Sequence, residues 1–74
     1  MINVAVIGYG YWGPNLVRNL IHSSQFTVDA VFDLEPSKLQ TIQDIYPDII
    51  INKSFSELIN DINIDAIVIA TPIS

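Results

Sequence analysis

Three glycines near the N-terminus constrain the fold of this chain more than any other feature. They belong to a run with the spacing G-x-G-x-x-G: Gly8, Tyr9, Gly10, Tyr11, Trp12 and Gly13. Before the run, the mostly apolar residues 1–7 predict a strand buried on both faces. After it, apolar residues at three-and-four spacing in residues 11–22 predict a helix. The run therefore predicts a strand–turn–helix unit, as at the start of a doubly wound α/β domain.

The rest of the chain continues the alternation of strands and helices. Strands are predicted at Phe26–Phe32, at the short residues 49–51 and at residues 65–70. Residues 37–45 predict a second helix bounded by prolines, and a Ser54…Glu57 capping box predicts a third that ends near residue 60. Right-handed crossovers then give a four-stranded parallel sheet of order 3-2-1-4 with helices on both faces, a three-layer Rossmann-like half.

Helical spacing also predicts which side chains are buried. The first helix is expected to pack through an apolar stripe: Trp12, Leu16, Val17, Leu20 and Ile21. The second helix is expected to pack through Leu39, Ile42 and Ile45.

In this context each glycine has a separate task in holding a dinucleotide pyrophosphate. Gly8 permits the tight turn, Gly10 lets the backbone approach the pyrophosphate, and Gly13 lets the helix lie close to the first strand. The alternative is a glycine-rich turn that holds no ligand.

The residues between the glycines are further candidates for cofactor contact. The amides of Tyr11 and Trp12 are expected at the positive end of the first helix, where phosphate is favoured. The rings of Tyr9, Tyr11 and Trp12 are candidates for a wall of the site, and Trp12 is equally a candidate for the core.

Asp33 lies about 20 residues beyond Gly13, where an acidic ribose ligand is expected. Its charge favours NAD over NADP, because a 2′-phosphate would be repelled and usually needs an arginine nearby. Leu34 and Glu35 supply no arginine, and Lys38 is the only cation close in sequence. The alternative for Asp33 is a solvated residue that merely starts a turn.

Composition excludes some classes of protein. The net charge of −5, with only three cations, leaves no basic face for nucleic acid. No apolar run is long enough to cross a membrane, and no signal peptide is recognisable, so a cytoplasmic location is expected. The absence of cysteine excludes disulfides and thiolate metal sites. His22, the only histidine, is expected to complement the dipole at the end of the first helix.

Three segments together resemble one protein family. They are residues 2–15, residues 31–38 and residues 65–72, the last ending in Ala70-Thr71-Pro72. They are similar to the glucose-fructose oxidoreductase, inositol dehydrogenase and rhizopine-catabolism (Gfo/Idh/MocA) family. The resemblance covers the whole chain and implies that Ala70, Thr71 and Pro72 lie near the nicotinamide half of the cofactor.

The resemblance implies an oxidoreductase that acts on a sugar, inositol or nucleotide-sugar hydroxyl. Family members continue into a Glu-Lys-Pro segment whose lysine is catalytic, and then into a substrate domain. Residues 1–74 are therefore expected to be the N-terminal dinucleotide-binding part of a dehydrogenase, with no catalytic residue and no activity alone. The alternatives are a non-catalytic nucleotide-binding or oligomerisation module, or a site for another nucleotide, against which Thr71 and Pro72 argue mildly.

Self-association is also expected. The fourth predicted strand contains Ile67, Val68 and Ile69, with no charge and no proline to protect an exposed sheet edge. Two copies are expected to pair through these strands.

Overall fold

The computed structural model describes residues 1–10 and 12–70. Within them the elements follow in the order β1 Ile2–Ile7, α1 Gly13–His22, β2 Phe26–Phe32, α2 Pro36–Ile45, α3 Phe55–Ile59 and β3 Ala66–Ile69. The strands form a parallel sheet of order β2-β1-β3. The predicted Rossmann-like α/β fold with a parallel sheet is confirmed.

The prediction of a strand at residues 49–51, the third along the chain, is wrong. Ile50 makes a single parallel bridge to Ala30 of β2, through two backbone hydrogen bonds of 3.0 Å. The ladder does not extend because the residues that would continue it, Asp48 and Asn52, lie in a turn and at a bend of the chain. The sheet described here has three strands, with this bridge on the outer side of β2, where the order 3-2-1-4 puts the short segment.

The pairing of β1 with β2 contains a shift of one residue. Val4 lies opposite Val28 and Ala5 lies opposite Ala30, so Asp29 is an extra residue in β2. Such a bulge changes which residues share a face of the sheet.

Hydrophobic side chains pack on both faces of the sheet. On one face, Val17 of α1 and Ile42 of α2 are fully buried in one cluster with β1 and β2. On the other face, Leu58 of α3 is buried against Ala5 and Ile7. Helices thus cover both faces, and β1 is buried between them.

The predicted apolar stripes are only partly correct. Trp12 is 64% exposed, because α1 begins at Gly13 and Trp12 is its N-cap residue, outside the helix. Ile21 and Ile45 are also exposed, because each lies in the last turn of its helix while burial centres on Val17 and Ile42.

Among the described residues, none of the helices has the length and apolar character needed to cross a membrane.

The predicted capping box at the start of α3 is confirmed. The Ser54 hydroxyl accepts from the Glu57 N–H at 3.1 Å, and the Glu57 carboxylate accepts from the Ser54 N–H at 3.0 Å. The bond from the Ser54 N–H, and after it hydrogen bonding from the Ser54 side chain to the carboxylate, lower the pKa of Glu57. A 2.9 Å ion pair between Lys53 and Asp61 further ties the two flanks of this short helix together.

The expected self-association stays a prediction. β3 pairs with β1 along one side, and Ile69 is 64% exposed. Sedimentation velocity over a concentration series should show a dimer that Ile69→Lys weakens, because a charge on an edge strand opposes pairing. Ile62→Lys, at a 95% exposed position in the turn before β3, should leave the dimer intact. A monomer at every concentration would contradict the prediction.

Candidate functional site

A cleft of about 580 Å³ lies where β1 and β2 end. Its lining comes from the glycine loop, the turn after β2, and the starts of α2 and α3: Ile7, Gly8, Gly10, Phe32, Asp33, Leu34, Glu35, Lys38, Phe55 and Ala70. In open α/β sheets the carboxyl ends of parallel strands are where ligands bind. The cleft is therefore the first candidate for a binding site.

Gly8 turns the chain out of β1. Its φ of 97° lies in the left-handed region, which favours glycine. The N–H of Gly8 donates to the carbonyl of Phe32 at 2.7 Å. The start of the loop is thus hydrogen-bonded to the end of β2.

Gly13 is required by close packing. A Cβ at this position would lie 3.0 Å from the carbonyl oxygen of Gly8 and 3.2 Å from Cδ1 of Tyr9. Backbone on one side and a core ring on the other leave no room for a side chain. The task predicted for Gly13, close approach of the helix to the end of β1, matches this geometry.

The ring of Tyr9 points into the protein core. Tyr9 is 4% exposed and belongs to the cluster that contains Val4 and Val17. Burial raises the pKa of its hydroxyl, and the neighbouring Tyr46 raises it further. Tyr9 is not among the residues that line the cleft, so it can contribute to this site only through its backbone.

Gly10 differs from the other two glycines because nothing among residues 1–10 and 12–70 requires it. A Cβ there would meet no atom of these residues within 4 Å, and its φ is outside the left-handed region. It borders the cleft just before α1, whose first turn has no acidic side chain. The bare backbone beside the positive end of a helix is suited to an anionic group such as phosphate.

Both carboxylate oxygens of Asp33 are hydrogen-bonded to backbone. Oδ2 accepts from the N–H of Tyr9 at 2.7 Å, and Oδ1 accepts from the N–H of Glu35 at 2.8 Å. The second bond is the contact expected if Asp33 were only a solvated residue that starts a turn. Since each carboxylate oxygen has a second lone pair, Asp33 can still accept from hydroxyl groups of a ligand.

The wall opposite the glycine loop contains residues that sequence reasoning missed. Leu34 and Phe55 line the cleft with apolar surface, and Leu34 is 87% exposed. The sequence signal for Phe55 was an apolar residue at the exposed first position of a helix, directly after the Ser54 cap. Lys38, a predicted candidate, lines the same cleft from the first turn of α2.

Trp12 lies on the other side of the glycine loop. It lines a second cleft, of about 620 Å³, with the following residues: Asn15, Leu16, Arg18, Asn19, Ile69 and Ala70. Ala70 borders both clefts, and its N–H donates to the carbonyl of Ile7 at 2.8 Å. Three predicted site residues, Tyr11, Thr71 and Pro72, lie outside the described residues.

No cluster of three or more potential metal ligands occurs among residues 1–10 and 12–70. His22 lies in the last turn of α1, where its charge suits the helix dipole. The described groups around the cleft are suited to binding a polar ligand with a phosphate and hydroxyls.

The sequence matches a family model, and similar folds are known. The model for the Gfo/Idh/MocA family, described as an oxidoreductase family with an NAD-binding Rossmann fold, matches residues 2–74. None of the curated protein sequences matches this chain.

Three solved structures illustrate the similarity. An NAD-binding protein from Listeria innocua has a TM-score of 0.85 and 27% identity, over 96% of this chain and 20% of that one. Myo-inositol 2-dehydrogenase from Lactobacillus plantarum has a TM-score of 0.82 and 25% identity, over 96% and 21%. Scyllo-inositol dehydrogenase from Lactobacillus casei, solved with NAD(H) and scyllo-inositol, has a TM-score of 0.83 and 19% identity, over 97% of this chain and 22% of that one. This chain thus spans about a fifth of their length.

The different reasons for Gly10 and Gly13 predict different effects on stability. Gly13→Ala should lower the free energy of unfolding by about 1–3 kcal/mol, because the added methyl overpacks against Gly8 and Tyr9. Gly10→Ala should change it by less than about 0.5 kcal/mol, because the methyl enters open space. Urea unfolding of both variants measures the difference. Equal losses of stability would contradict the assignment.

Proposed function

Because this chain belongs to the Gfo/Idh/MocA oxidoreductase family, with its NAD-binding Rossmann fold, we propose that it is the dinucleotide-binding part of a dehydrogenase. The substrate class proposed is a hydroxyl of a sugar, an inositol or a nucleotide sugar. The likeness to an inositol dehydrogenase at 25% identity supports this class, and the family description supports an oxidoreductase that binds NAD. The cytoplasmic location stays a prediction.

The observation that carries the proposal is the open space at Gly10. Its missing side chain leaves room beside the backbone, just before α1 and in the same cleft as Asp33. A pyrophosphate placed there would meet backbone N–H groups and the positive end of the helix. The bound dinucleotide would supply hydride transfer, and the described residues would bind and orient it.

We assign the adenosine ribose to Asp33. Its remaining lone pairs are available to two hydroxyls, while its charge repels a 2′-phosphate. Lys38 is the cation that lines the same cleft, and we propose that it contacts the adenosine side of the cofactor. With one lysine and no arginine in this lining, NAD is the proposed cofactor and NADP the weaker one.

The other end of the cofactor would lie towards Ala70. This residue follows β3, which lies on the other side of β1 from β2, the strand before Asp33, and it borders both clefts. Trp12 lines the cleft on that side. The roles proposed for Tyr11, Thr71 and Pro72, at the phosphates and the nicotinamide, rest on the family resemblance alone.

Alanine at Gly10 tests the phosphate site. Isothermal titration with NAD should show that Gly10→Ala weakens binding by at least about tenfold, because the methyl occupies the space left for the pyrophosphate. Gln43→Ala, at an exposed position of α2 outside the cleft lining, is the control and should bind like the wild type. Unchanged affinity in Gly10→Ala would refute the phosphate site.

Titrations with NAD and NADP test the assignment of Asp33. The wild type should bind NAD more tightly, and Asp33→Ala should bind NAD more weakly and discriminate less between the two. Asp44→Ala removes one negative charge from an exposed position of α2 and should preserve the preference. Equal binding of both cofactors, unchanged in Asp33→Ala, would be incompatible with the assignment.

A further inference from the structure

The glycine loop is held at several points, and one of them is a side chain. Gly8 is tied to β2 through the carbonyl of Phe32, Gly13 is packed against the loop, and the Tyr9 ring is buried. A further tie, made by a side chain, is the 2.7 Å bond from the N–H of Tyr9 to Oδ2 of Asp33. A substitution at Asp33 therefore removes this one restraint without altering the core or any glycine.

This tie acts on the residue next to the open space. Tyr9 directly precedes Gly10, so fixing the N–H of Tyr9 restrains the peptide plane from which the chain enters Gly10. The bond is partly buried and has a charged acceptor, which makes it stronger than a neutral one. Its loss would leave a partly buried N–H without its partner, which favours a displaced loop.

The carboxylate is itself held in place. Oδ1 accepts from the N–H of Glu35, which orients the carboxylate so that Oδ2 faces the loop. One side chain thus connects the turn after β2 to the loop after β1.

We propose that Asp33 is a positioning residue for the glycine loop: through Tyr9 it shapes the loop around Gly10 to receive a pyrophosphate. This role rests on the dinucleotide site proposed above and extends it. Asp33 then contributes to phosphate affinity through the backbone of Tyr9, in addition to its direct contribution to ribose affinity.

Ligands that differ only in their ribose hydroxyls separate the two contributions. ADP and 2′,3′-dideoxy-ADP carry the same pyrophosphate, but the second has no hydroxyl for Asp33 to accept from. If Asp33 positions the loop, Asp33→Ala should weaken the binding of dideoxy-ADP by about fivefold or more, because a disordered loop binds phosphate poorly. If Asp33 acts only on the ribose, the affinity for dideoxy-ADP stays the same and the proposal is overturned.

Asp65→Ala is a matched control at the opposite end of the sheet. Asp65 Oδ2 accepts from the N–H of Asn3 at 2.8 Å, so it too is an aspartate that ties β1 through a backbone N–H. Its removal should cost stability and leave both affinities unchanged. A comparable loss of dideoxy-ADP affinity in Asp65→Ala would mean that the effect is general destabilisation, which would also overturn the proposal.

Amide hydrogen exchange tests the loop without any ligand. In Asp33→Ala the Tyr9 amide should exchange at least about tenfold faster, while the amide of Val6 in β1 keeps its protection. Asp33→Asn, which replaces one of the two acceptor oxygens with an NH2 donor and so can keep only one of the two bonds, should give an intermediate rate. Unchanged exchange at Tyr9 in Asp33→Ala would overturn the proposal even if nucleotides bind.

The two proposals fail in distinguishable ways. If neither NAD nor ADP binds the wild-type protein, the proposed function fails, while the exchange rates still decide whether Asp33 holds the loop. If NAD binds and Asp33→Ala changes neither dideoxy-ADP affinity nor Tyr9 exchange, only the positioning role fails.

Discussion

The parallel register between β1 and β2 is the constraint on which the candidate site depends. Ile7 pairs with Phe32, so the residues that follow the two strands emerge side by side. This register exists because the extra residue Asp29 is inserted in β2. Without the bulge, Ile7 would lie opposite Val31, and Asp33 would be displaced by one residue, about 3.3 Å along the strand. The short bond between Asp33 and the loop would then be lost.

The two strand ends form one hydrogen-bonded unit. Gly8 donates to Phe32, and Tyr9 donates to Asp33. The burial of β1 on both faces makes this unit rigid at its base, because the strand cannot move without disturbing two hydrophobic clusters. The rigid base and the bare Gly10 are the features on which the proposed phosphate site depends, and neither requires a cluster of cations.

Sequence reasoning predicted where most helices and strands lie better than which hydrogen bonds and burial their residues have. Local signals were sufficient for the capping box at Ser54 and for the helix that starts at Pro36, since both depend on residues a few positions apart. It failed for the segment at residues 49–51, because the chain turns at Asp48 and bends at Asn52, the residues that a longer ladder needs. It also misplaced Trp12, because periodicity continued into the loop while the helix itself starts one residue later.

The sequence by itself determined the glycine loop, the family and the order of the helices and strands apart from the segment at residues 49–51, because these depend on local spacing and on the motif of residues 8–13. Only the tertiary structure decided which glycine serves the fold and which leaves room for a ligand. Gly8 is required by its positive φ and Gly13 by its packing distance to the loop, whereas Gly10 borders open space. The structure also decided that Asp33 holds Tyr9 and that Phe55 joins the cleft. Such contacts join residues distant in the chain, and their geometry follows from strand register and helix packing rather than from spacing.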